Sequence, residues 1–130
     1  MSMETERRHA QDLADMLAPL GEVGVTRFFS GAGLTLAGRQ FAFVIDGTLY
    51  LRTDAEGRAA FEALGAGPFS YDGPSRQVIV RAYYQAPDEI MDDPEMLCDW
   101  AARAFQAATR AAAAKPQRQS RPRRRGTSPS

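Results

Sequence analysis

Residues 26–52 read TRFFSGAGLTLAGRQFAFVIDGTLYLR, three apolar runs separated by turn residues. Leu34 and Leu36 alternate with Thr35 and Ala37, Phe41, Phe43 and Ile45 with Ala42 and Val44, and Leu49 and Leu51 with Thr48, Tyr50 and Arg52. An extended backbone sends successive side chains to opposite faces, so this alternation marks strands. Asp46-Gly47 between two such runs is a strong hairpin signal, because a two-residue turn of matching twist needs positive φ at both central positions. Gly38-Arg39 is expected to close the other hairpin, and the stretch as a whole reads as the centre of an antiparallel sheet.

Upstream, Ala10, Leu13, Ala14 and Leu17 recur at helical spacing, with Met16 and Leu20 widening the stripe, which predicts an amphipathic helix ending near Pro19 and Gly21. Residues 23–29 read as an irregular strand, interrupted by Gly24 and carrying Phe28-Phe29 to both faces. Downstream, Thr53-Asp54-Ala55-Glu56 has the form of a capping box with Thr53 as the cap. The short helix it opens is expected to bury Ala60, Phe61 and Leu64 and to stop at Gly65. Residues 68–71 and 77–84 read as two more strands around an Asp72-Gly73-Pro74-Ser75 turn, with Val78, Val80, Ala82 and Tyr84 sharing a side. After one helical turn at 88–91, Asp93-Pro94-Glu95 is a good helix start, an N-cap aspartate followed by proline. Leu97, Trp100, Ala101, Ala104, Phe105 and Ala108 mark the buried face of that helix. The order is then helix, three strands, helix, two strands, helix. The expectation is a two-layer α+β domain, with a five-stranded antiparallel sheet in the order α-β-β-β-α-β-β-α and helices on one face.

The 130 residues allow one domain, assigned to 1–114, with a basic tail at 115–130. The formal charge of zero hides an asymmetry: residues 1–109 hold nine Lys or Arg against 16 Asp or Glu, while 110–130 hold seven basic residues and no acid. The tail, KPQRQSRPRRRGTSPS, has no hydrophobic residue and three prolines, and is expected to be disordered. No apolar run approaches the roughly 20 residues that cross a bilayer, and the charged N-terminus lacks a signal-peptide core. The expected compartment is the cytoplasm, and no membrane contact is expected.

Candidate chemistry is sparse. Gly31, Gly33 and Gly38 lack the spacing and the following helix of a nucleotide fingerprint, and read as turn or bulge residues. His9, the one histidine, is expected on an exposed part of the first helix, and with a single cysteine, Cys98, no metal-ligand spacing or internal disulfide arises. Cys98 reads as an ordinary helical thiol, since a nucleophile would need a base and a depressed pKa. The acids Asp88, Glu89, Asp92, Asp93 and Glu95 lack the spacing of a calcium loop and are assigned to capping and solubility. Tyr50, Tyr83-Tyr84 and Phe69-Ser70-Tyr71 are core and cross-strand packing in one reading and a stacking platform for bases in the other. Arg118, Arg121, Arg123, Arg124 and Arg125 on a flexible segment would attract phosphates without sequence preference. No catalytic, cofactor-binding or metal-binding residue is assigned.

The chain also resembles the N-terminal domain of the TfoX/Sxy family of bacterial competence regulators. The resemblance lies in Arg27-Phe28-Phe29-Ser30-Gly31, Gly33-Leu34, Phe41-Ala42-Phe43-Val44 and Gly47-Thr48-Leu49-Tyr50-Leu51-Arg52. It continues through Pro68-Phe69-Ser70-Tyr71, Tyr83-Tyr84, Pro87-Asp88-Glu89 and Asp93-Pro94-Glu95, with Leu97 and Trp100 behind, and spans about residues 13–108. Phe28 stands where the family has Met and Ser30 where it has Gly, and the arginine-rich tail stands in place of the regulators' second domain. The resemblance implies a fold similar to secretion chaperones, with dimerisation among its expectations. It implies no cofactor and no catalytic residue. The leading expectation is therefore a non-enzymatic regulatory or protein-binding module, with a transcription regulator among the partners that the resemblance suggests. Weak nucleic-acid binding through the tail is one alternative. The other is a ligand site or enzyme assembled by the fold from Arg27, Tyr50, Tyr71 and carboxylates.

Overall fold

The decisive stretch does fold as a meander of hairpins, and its turns explain how. The computed structural model describes residues 3–119. After helix α1 (Met3–Met16) and a single 3-10 turn (Ala18–Leu20), strands β1 (Val23–Phe28), β2 (Gly31–Leu36), β3 (Arg39–Ile45) and β4 (Thr48–Arg52) follow in succession. Asp46 and Gly47 both have positive φ (53° and 77°), as the hairpin between β3 and β4 requires. The β2–β3 turn is made by Ala37 and Gly38, at φ 54° and 77°, rather than by Gly38 and Arg39. Arg39 is already paired, opposite Leu36.

Helix α2 (Ala55–Ala63), strands β5 (Pro68–Asp72) and β6 (Gln77–Gln85), and helices α3 (Asp88–Met91) and α4 (Pro94–Gln119) complete the described chain. The sheet has six strands in the order β1-β2-β3-β4-β6-β5, not five, and four strands precede α2 instead of three. The strand expected at 23–29 is the one that the count of three leaves out, and it ends at Phe28: despite its glycine and its exposed residues, β1 pairs with β2 at every position from Val23↔Leu36 to Phe28↔Gly31. Every strand pair is antiparallel.

Local signals set the helix ends. Asp54, not Thr53, caps α2, its carboxylate accepting from the Gly57 amide at 2.9 Å. Thr53 is withdrawn from that role because its N–H still belongs to the ladder, donating to the Ala82 carbonyl at 2.8 Å. At the other end, Gly65 (φ 83°) donates to Glu62 and Ala66 to Phe61, both at 3.0 Å, the paired bonds of a Schellman stop. Asp93 caps α4 as the sequence predicts, accepting from Glu95 and Met96.

The helices cover one face of the sheet. Helix α1 lies on β1, β2 and β3, α4 crosses β3 and β4, and α3 packs on α4. Leu13, Leu17, Leu34, Phe41, Leu51, Phe61, Tyr84, Ile90 and Leu97 form the core between the layers.

Two bulges decide what reaches the other face. In the β2–β3 ladder the register slips between Leu34/Thr35, leaving an extra residue in β3. Phe41 therefore joins Ala42 and Val44 in the helix-side core, while Phe43 points away from the helices. In the β5–β6 ladder the register jumps at Pro68/Phe69, from Phe69↔Val80 to Pro68↔Tyr84. Val80 and Ala82 consequently pack with Tyr83 on the open face, and Tyr84 alone of that set turns into the core. A bulge inserts a residue and flips everything beyond it, which is why simple alternation mispairs both strands.

Candidate functional site

The open face carries a second cluster, Phe43, Phe69 and Tyr83, with Phe28, Ile45, Tyr50, Val80 and Ala82 packed around it. Phe28 of β1 stacks on Phe43 of β3 at 4.5 Å between ring centroids, although β2 runs between them. Glycine makes that crossing open: Gly31 and Gly33 sit on β2 with no side chain on this face. A Cβ on Gly31 would run into the Val44 carbonyl oxygen. These glycines serve the close approach of β2 to its neighbours, where a Cβ would meet Val44 and Ile45 at Gly31 and Gln40 and Thr26 at Gly33, and no helix follows them to hold a phosphate.

Phe43 is the hub. Tyr50 lies 5.2 Å from it, Phe69 5.0 Å and Tyr83 4.7 Å. From the hub the rings continue outward, Tyr50 to Phe69 at 4.9 Å, Phe69 to Tyr71 at 5.9 Å and Tyr71 to Phe29 at 6.1 Å. Phe29 belongs to the β1–β2 turn and Tyr71 to β5, at opposite edges of the sheet, so the two edges curl toward each other over this face.

Between them is a cleft of about 340 Å³ lined by Phe29, Tyr50, Phe69 and Tyr71, with Ser30, Ile45, Asp46, Thr48 and Ser70 completing it. Phe29 is 67% exposed and Tyr71 43%, while Phe69 is buried. Phe29 holds φ 51°, a conformation that a bulky side chain seldom adopts. Burial, and next the charge of Asp46, raise the Tyr50 phenol above its ordinary pKa. The turn that presents Asp46 is tied to α1: the Gly47 N–H donates to both carboxylate oxygens of Glu6, at 3.2 and 3.1 Å, and Glu6 is only 2% exposed.

A second hollow, of about 220 Å³, lies between α2 and α4 and is lined by Asp54, Phe61, Trp100, Arg103 and Arg110 among others. Three of its charged side chains are engaged by neighbours within the chain. Arg110 donates to Asp54 at 2.6 Å and Arg103 lies over the Trp100 ring at 4.9 Å. The Arg110 hydrogen bond, followed by that from Gly57, holds the Asp54 carboxyl below its usual range.

Of the residues singled out in the sequence, Tyr50 and Tyr71 meet in the cleft with Asp46, whereas Arg27 does not line it. Tyr83 stays on the open face beneath Arg52, whose guanidinium carbon is 5.6 Å from its ring centroid. Tyr84 is buried on the helix side and donates to Glu62 at 2.7 Å, a bond that, with burial, raises its pKa. His9 is half-buried, not exposed, with its Nε2 shut away from solvent. Cys98 reaches the Met16 carbonyl at 3.5 Å, and burial, then Asp99, pushes its thiol up, away from the thiolate. Among the described residues no group of three or more His, Cys, Asp or Glu could hold a metal, and no helix is long and apolar enough to cross a membrane. Helix α4 continues to Gln119, past Lys115. Arg121, Arg123, Arg124 and Arg125 lie outside the described residues.

Phe29, read from the sequence as the end of the first strand, and Asp46, read as a hairpin turn residue, both line the cleft without having been assigned to a site. The signal was there in Phe29: a large apolar residue next to a serine in a two-residue turn has no core to serve. Compared with known families, the chain matches the model described as the TfoX N-terminal domain over residues 15–108. No curated protein matches it.

Proposed function

The chain belongs to the TfoX N-terminal domain family, and from that membership we infer how its surfaces are used: as a non-enzymatic regulatory module that binds protein through the open face of the sheet. One observation above the rest supports this reading, the aromatic face that no helix among the described residues covers, with Phe29 and Tyr71 left exposed at its rim. Partly exposed aromatic rings around a buried hub resemble the anchors that dominate protein interfaces. A transcription regulator fits the family's character as the partner, and the cytoplasm as its place of work.

Co-purification from cell extract over the full chain tests the proposal. A protein retained by the native chain and released by Tyr71→Ser is expected. Recovery of a small metabolite and no macromolecule would count against it.

A further inference from the structure

The cleft's chemistry also narrows what a partner would insert there, and this step rests on the protein-binding reading above. We propose that the cleft between the Phe29-Ser30 turn, the Asp46-Gly47 turn and β5 receives an arginine side chain carried by the partner protein.

Asp46 is the one charged residue among those lining the cleft, and it sits beside a wall formed by Phe29, Tyr71, Phe69 and Tyr50. The faces of aromatic rings attract cations, and a planar guanidinium can stack on a ring while donating hydrogen bonds from its edge. Asp46 and the hydroxyls of Ser30, Thr48 and Ser70 supply acceptors around the same space. An apolar anchor would bury the Asp46 carboxylate without a partner, and an acidic one would face it directly. The wider surface agrees, since residues 1–109 hold 16 acids against nine basic residues.

Two features of the backbone point the same way. Phe29 occupies a positive-φ position that Asn or Gly would fill with less strain, yet its ring stands at the mouth of the cleft. Glu6 fixes the neighbouring turn from within, so Asp46 is presented from a held hairpin.

The test titrates the full chain with a short glycine-flanked arginine peptide and with the same peptide carrying citrulline, a neutral near-isostere, while backbone amide resonances are followed. The arginine peptide is expected to shift Phe29, Asp46, Thr48 and Tyr71, and its affinity to fall roughly tenfold with Asp46→Asn and with Phe29→Asn. Asn suits both positive-φ turns, so these variants keep the fold. Equal binding of the citrulline peptide, shifts confined to the α2–α4 hollow, or indifference to Asp46→Asn would overturn the proposal. Self-association lost on removing residues 120–130 and on Asp46→Asn would assign the cleft to a second copy and overturn it too. Should the arginine peptide fail while a captured partner still protects the aromatic face, the arginine proposal falls and the protein-binding reading stands.

Discussion

Single residues carry much of the architecture, and two make sharp tests of it. Gly31 is required by space: its Cβ would overlap the Val44 carbonyl, which is backbone and cannot swing aside. Gly31→Ala should therefore destabilise the domain by about 2–4 kcal/mol, seen as a lower denaturation midpoint. A midpoint unchanged would mean that β2 and β3 are not as close as described. Glu6 is required by charge and position. Glu6→Ala removes both acceptors of the Gly47 amide and should cost about 1–2 kcal/mol while raising amide exchange at the turn. Phe29 behaves in the opposite sense, because its ring serves the surface and not the core. Phe29→Asn should leave stability equal or higher by up to about 1 kcal/mol, relieving the positive φ, even as it weakens binding.

At the scale of elements, the pattern of apolar residues made the hairpins, the helix stripes, the Asp93 cap and the Gly65 stop readable, since each depends on neighbours within a few positions. What was not readable depends on partners far along the chain. The slips at Leu34/Thr35 and Pro68/Phe69 arise from how strands meet across the sheet, and they alone separate Phe41 from Phe43 and Val80 and Ala82 from Tyr84. The cleft joins the β1–β2 turn, the β3–β4 turn, β4 and β5, which are far apart in the chain, so its rings are legible in the sequence as types but not as neighbours. The cap of α2 shows the same limit, displaced by one residue because Thr53 stays in the ladder.

That cap also carries a pH signature. The Asp54 carboxyl titrates below its ordinary 3.8 in the folded state, held there by Arg110 and the Gly57 amide. A depressed folded pKa stabilises fully above the unfolded value, and the contribution disappears as pH falls through the folded one. Stability should thus decline more steeply below about pH 4 in the native chain than in Asp54→Asn, which keeps a cap acceptor but no charge. The pair is exposed to solvent, so the difference should stay within about 1 kcal/mol. Parallel acid limbs would show that the ion pair contributes nothing.

In the whole molecule the two faces of the sheet divide the work. The helices seal one face into the core, and the other gathers aromatic residues from β1, β3, β4, β5 and β6 around Phe43 with no layer above them among the described residues. The rings left uncovered on the open face are the ground on which it is proposed as the protein-binding surface. The most direct measurement is hydrogen exchange on the full chain, alone and with the protein it captures. Protection gained at residues 29–30, 45–50 and 69–71, with the α2–α4 surface unchanged, is the predicted result. Protection confined to α2 and α4, with those turns exchanging as before, would contradict the account.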